Sequence, residues 1–145
     1  MALFRIERRT HLPADEAWRR LTAWERHGAQ VPLTRVTVTT QSPTGPGTVF
    51  VARTGPGPLG FDDPMEVVLW EPPRAGGPGR CRLEKRGSVV LGWAEFDVRP
   101  VPGGACVVWT EDLRVRGLPR VFDGAIVRAG RLLFGRELKS LLGGR

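Results

Sequence analysis

At 145 residues and 41% hydrophobic content, the chain is long enough for one domain with a core of its own and too apolar to be disordered. Its formal charge of +7 is carried almost wholly by Arg, scattered with no basic helix or tail and no interleaved aromatics, which argues against a specific nucleic-acid surface. With 19 Gly and 13 Pro, the Arg bias fits a GC-rich, bacterial coding genome better than a chosen partner.

The first residues alternate Phe4, Ile6 and Arg8 with Arg5, Glu7 and Arg9, the period of a strand with one wet face. They lack a signal peptide's apolar stretch and cleavage site. No apolar run approaches the roughly 18 residues that span a bilayer, so a cytoplasmic protein without a membrane span is expected. A helix starts at Pro13, with Asp15 and Glu16 in the first turn where the dipole favours acids. Its buried side is predicted to carry Ala14, Ala17, Trp18, Leu21 and Trp24, and Gly28 and Pro32 end it.

Strands are then predicted over Thr34 to Thr40, Thr48 to Thr54, Met65 to Trp70, Arg80 to Arg86, Val89 to Val98 and Cys106 to Val115. Turn-forming clusters separate them: Ser42 to Gly47, Gly55 to Pro64, Pro72-Pro73 followed by Arg74 to Gly79, and Pro100 to Gly104. A last helix runs from Arg120 to Leu142, started by Leu118-Pro119 because Pro suits a first turn, where its missing N–H is not needed. Phe122, Ile126, Ala129 and Leu133 form one apolar row on it, and Val127, Phe134, Leu138 and Leu141 a second. So wide an apolar face needs a concave apolar cover, and the strands supply one. The expected architecture is α+β, a curved antiparallel sheet of about seven strands wrapped around the C-terminal helix. Gly124, Gly130 and Gly135 inside that helix fit either close helix–sheet contact or space left for a ligand.

Few residue patterns carry chemistry. Thr44-Gly45-Pro46-Gly47-Thr48 reads as a hairpin turn, since it lacks the Gly-Lys-Ser/Thr ending of a phosphate loop and precedes a strand. Asp62-Asp63-Pro64 reads as a turn that starts the Met65 strand; the alternating oxygen ligands of a Ca²⁺ loop are missing. Phe61, on that Gly/Pro-rich loop, suits either a cavity gate or packing at the sheet rim. The strand carboxylates and arginines read as cross-strand pairs on the convex face. Glu111 differs, because strict alternation with Val107, Trp109, Leu113 and Val115 points it inward, where it must find a partner or be protonated. Cys81 and Cys106 read as reduced, inert thiols. With His11 and His27 the only histidines, no metal site, cofactor motif or serine-type triad is expected.

Several segments together resemble the START/Bet v 1-like helix-grip superfamily (SRPBCC), which includes the polyketide cyclase/dehydrase and lipid-transport group. Leu12-Pro13-Ala14-Asp15-Glu16-Ala17-Trp18 is similar to its "Ala-Pro-x-Glu-x-Val-Trp" helix start, with Leu12 in place of the usual Ala. Leu21 to His27, the Pro72-Pro73 strand end, Gly45-Pro46-Gly47-Thr48 and the terminal helix extend the likeness over essentially the whole chain. The resemblance implies a hydrophobic cavity between sheet and long helix, but no shared catalytic motif, so no catalytic residues carry over.

The expected function is binding of a small hydrophobic molecule, lipid-like, polyketide-like or aromatic, in that cavity. The expected lining is Val36, Val38, Phe50, Met65, Val67, Leu83, Trp109, Phe122, Ile126 and Leu133, with Phe61 as gate and Glu111 as polar anchor. The expected volume is about 300 Å³ or more. Two alternatives stand beside it: a cyclase/aromatase-type enzyme, which an inward charged pair would favour, and a partner-binding module with a filled core, which an exposed apolar patch would favour. The oligomeric state is not legible.

Overall fold

Residues 2–27, 33–41 and 43–143 are described, from a computed structural model. Gly28 and Pro32, expected to end the first helix, and Ser42, expected to open a turn, lie outside them. Seven strands form one antiparallel sheet: β1 (Ala2–Thr10), β2 (Thr34–Val38), β3 (Val49–Thr54), β4 (Phe61–Glu71), β5 (Gly79–Lys85), β6 (Val90–Val101) and β7 (Gly104–Val115). Their order is β1-β7-β6-β5-β4-β3-β2, so the first two strands in sequence are the two edges. Helix α1 (Ala14–Leu21) and a 3₁₀ turn at Trp24–Arg26 connect those edges. Helix α2 (Asp123–Gly143) follows a 3₁₀ turn at Arg120–Phe122 and packs on β1, β7 and α1. The sheet with its long terminal helix is the helix-grip arrangement.

Alternation decides which side chains face the helix. Phe4, Val36, Phe50, Val67, Leu83, Phe96, Val98, Val107 and Trp109 are buried on the concave face. Their removal from water, at about 25 cal/mol per Å² of apolar surface, drives closure of the sheet over α1 and α2. The convex face carries ion pairs between neighbouring strands, such as Arg53–Asp62 at 2.9 Å and Arg86–Glu66 at 3.1 Å. Such exposed pairs each contribute little, about 0–1 kcal/mol. The β4–β5 register shifts between Val67 and Leu69, and beyond the shift Trp70 packs edge-on against Trp18 of α1 at 5.1 Å. In β6, Gly92 has φ +124 and sits against the Asp112 carbonyl of β7, where a Cβ does not fit.

Three expectations need correction. β4 begins at Phe61, so Asp62, Asp63 and Pro64 are strand residues paired with β3 rather than a turn. Phe61 is therefore half-buried at a strand start opposite Thr54, not on a loop tip. The third concerns α2. Its buried residues are Gly130, Gly135, Glu137, Leu138, Leu141 and Leu142, with Phe134 packed on the core, so the second apolar row faces the sheet. On the first row, Phe122 is 47% exposed, Ala129 is exposed, and Ile126 and Leu133 are half-buried. The face that packs includes Gly130 because a Cβ there would meet the Phe4 ring at 2.6 Å; close helix–sheet contact, not ligand space, explains this glycine.

Cys81 and Cys106 are free and buried, and burial, with Glu95 nearby, pushes the Cys81 thiol up to about 12. A thiol reagent at pH 8 is expected to label native protein slowly and to titrate two thiols after denaturation without reductant. Rapid labelling of Cys81 in the native state, or a count of zero after denaturation, contradicts this.

Candidate functional site

Between the concave face and α2 lies a cavity of about 130 Å³. It is smaller than the expected 300 Å³ because aromatic rings fill much of the grip. Trp24 stacks on Phe50 at 4.6 Å, Phe96 meets Trp109 edge-on at 4.8 Å, and Trp109 contacts Phe134 of α2 at 5.1 Å. Of the expected lining, Val36, Phe50, Met65, Leu83, Trp109 and Glu111 border this cavity. Val67 is fully buried in the core and Val38 packs against that core. Phe61, Phe122, Ile126 and Leu133 do not border it; Phe122 precedes α2 in the 3₁₀ turn, and Ile126 and Leu133 are half-buried at the flank of its packed face.

One end of the cavity is charged. Strand register sets Ala52 opposite Asp63, Met65 opposite Lys85 and Ala94 opposite Glu111, so β3 to β7 present these side chains on one face. Lys85 Nζ donates to Asp63 Oδ2 at 2.9 Å and lies 3.8 Å from Glu111 Oε2. Trp109 Nε1 donates to Glu111 Oε1 at 3.0 Å. The Lys85 side chain is only 4% exposed and that of Glu111 3%. Burial opposes the Lys85 charge, but Glu111 and Asp63 outweigh it and hold its pKa above the usual value; Lys85 is an ammonium. For Glu111, burial is the larger influence, so its carboxyl titrates above the usual range even though Lys85 and Trp109 pull it down. Asp63, at 2.9 Å, is thus the close counter-ion of Lys85, and Glu111, at 3.8 Å, the more distant one.

The helix side adds His27 and Glu137. His27 Nε2–H donates to the Leu21 carbonyl at 2.6 Å, which leaves Nδ1 as the ring's acceptor in the neutral form. Burial lowers the His27 pKa despite the Glu137 carboxyl 3.9 Å from Nδ1. At pH 7 the ring is neutral, so that approach is not an ion pair. A folded-state pKa below 6.5 means the stabilisation from burying this ring is complete above pH 6.5 and is lost as pH falls through and below it. Urea unfolding between pH 5 and 7.5 is expected to show stability declining on the acid side of 6.5, with a shallower decline in His27→Gln. An equal slope in both proteins contradicts it.

Of the charged residues at the cavity, sequence reasoning singled out Glu111 and missed Asp63, Lys85, His27 and Glu137. The signal for Lys85 was its spacing of two from Leu83, which shares its face. Among the described residues, no group of three or more His, Cys, Asp or Glu is placed to hold a metal ion. No helix among them is long and apolar enough to cross a membrane.

Comparison with solved structures agrees with the architecture. A putative uncharacterized protein from Rhizobium leguminosarum aligns with TM-score 0.68 and 17% identity, over 99% of this chain and 95% of its own. Ara h 8.0201 aligns with TM-score 0.62 and 12% identity, over 98% of each chain. An aromatase/cyclase from Streptomyces sp. R1128 aligns with TM-score 0.61 and 16% identity, over 97% of this chain and 92% of its own. The chain therefore has the Bet v 1-like helix-grip fold; at these identities the likeness speaks to fold alone. No protein-family model matches the sequence, and no curated protein matches it.

Proposed function

We propose that this protein is a single-domain, cytoplasmic binding protein that takes a small molecule with an apolar body and one polar group into the cavity beneath α2. The observation that carries this reading is the pairing of aromatic walls with one buried charged end, Asp63–Lys85–Glu111. Apolar concavities with a few convergent polar groups are the usual form of small-molecule sites. The volume of about 130 Å³ restricts the occupant to a small compound, short of a lipid chain or a fused polyketide. Scattered arginines give the protein only weak, salt-sensitive contact with nucleic acid.

A second reading draws on the same site. Glu111, whose pKa burial raises beside the Lys85 ammonium, is suited to exchanging a proton with a bound molecule, as a cyclase/aromatase-type enzyme requires. Native mass spectrometry of freshly purified protein, alone and with added toluene, tests the binding reading. A stoichiometric low-mass adduct is expected; absence of any adduct in both samples contradicts it. A co-purified compound converted to a new species on incubation moves the second reading ahead.

A further inference from the structure

Two acceptor atoms at the charged end of the cavity are unanswered. Asp63 Oδ1 and Glu111 Oε2 are buried and have no hydrogen-bond partner among the described residues. Lys85 Nζ has three N–H donors. One meets Asp63 Oδ2 at 2.9 Å; its other neighbours are the Met65 sulfur at 3.6 Å and Glu111 Oε2 at 3.8 Å. The last distance is too long for a direct hydrogen bond, and one oxygen set to the side of the line joining the two atoms can lie at hydrogen-bond length from each. That oxygen must accept from Lys85 and donate to Glu111.

Four kinds of polar end can be compared on these atoms. A carboxylate offers no donor to Glu111 and faces three acids, Asp63, Glu111 and Glu137, against one lysine already bonded to Asp63. An ammonium offers no acceptor to Lys85 and sits beside its charge, a repulsion that low dielectric magnifies. A purely apolar group displaces water without replacing its bonds. A hydroxyl donates and accepts at once. The rest of the cavity fixes the size of what carries it. An apolar cavity of about 150 Å³ takes one benzene molecule; this one is about 130 Å³ and is walled by Phe50, Phe96, Trp109 and Phe134.

We infer that the cavity selects a neutral single-ring alcohol or phenol, its hydroxyl bridging Lys85 Nζ and Glu111 Oε2 and its ring against Phe96, Trp109 and Phe134. This rests on the proposed binding function and names the ligand class for it. The charged pair then acts as a filter: rings with a hydroxyl enter, and the same rings bearing a carboxylate or an ammonium are refused.

Isothermal titration calorimetry at pH 7 with phenol, toluene, benzoate and benzylamine tests the inference on the unaltered protein. Phenol is expected to bind at least about 10-fold more tightly than toluene, because toluene leaves buried polar groups unpaired. Benzoate and benzylamine are expected to bind more weakly than toluene. In Glu111→Gln, whose amide donates where the carboxylate accepted, the preference for phenol over toluene is expected to fall to less than about 3-fold. Toluene binding as tightly as phenol overturns the hydroxyl inference and leaves the binding function standing. Tightest binding by benzoate or benzylamine overturns it likewise, as does an undiminished phenol preference in Glu111→Gln. No binding by any of the four overturns the inference and the binding function together.

Discussion

Lys85→Met is expected to destabilise the protein by about 3–5 kcal/mol at pH 7, the usual effect of removing one partner from a buried ion pair. The side chain is only 4% exposed, and its loss strands Asp63 and Glu111 in an apolar setting without their cation. Methionine has nearly the same length, so packing changes little and the electrostatic effect dominates. The sign with pH follows. As carboxyl groups take up protons the need for a cation disappears, so the deficit relative to the parent shrinks toward acid pH. Urea unfolding of both proteins at pH 7 and pH 4 measures this. A deficit below about 1 kcal/mol at pH 7, typical of solvated pairs, contradicts a dry charged end to the cavity.

Ala94→Leu is expected to abolish uptake of toluene, lowering its affinity at least about 100-fold, while changing stability by less than about 1 kcal/mol. Ala94 lies on β6 between Leu83 of β5 and Glu111 of β7, and its methyl group borders the cavity. Three added carbons therefore grow into open volume rather than into a neighbour. In a filled core the same change overpacks and costs roughly 1–3 kcal/mol. Calorimetric titration with toluene and thermal unfolding of the variant separate the cases. Marked destabilisation, with toluene binding unchanged, contradicts the placement of the cavity. Gly130, by contrast, is no place to fill it, since a side chain there strikes Phe4.

The fold was legible because its signals are local and repeated. Period-two alternation marked the strands, Pro and Gly clusters marked the turns, and one long apolar helix required a concave cover. The inward carboxylate was legible for the same reason, since Glu111 shares its parity with Val107 and Trp109 on an unambiguous strand. Asp63 was not, because Asp-Asp-Pro is turn chemistry by composition, and only pairing with β3 extends β4 back through it. Lys85 closes a strand, where a charged residue ordinarily points to water; its burial depends on Asp63 and Glu111 arriving from other strands. The face of α2 was misjudged for a physical reason as well. The side that packs against β1 and the cavity carries Gly130, Gly135 and Glu137, which lower its apolar signal. The first row, Phe122, Ile126, Ala129 and Leu133, is equally apolar in sequence yet lies at the flank of that side and remains partly in water. Leu118, Val121, Phe122 and Leu132 are exposed along this stretch of chain.

The most direct test of the account is an amide NMR titration of the protein with phenol. Occupation of the cavity predicts saturable shifts concentrated on Phe50, Ala52, Ala94, Phe96, Trp109 and Glu111, residues of three strands that all line this volume. Shifts confined to the exposed apolar stretch from Leu118 to Phe122, or no saturable shifts at all, would contradict it.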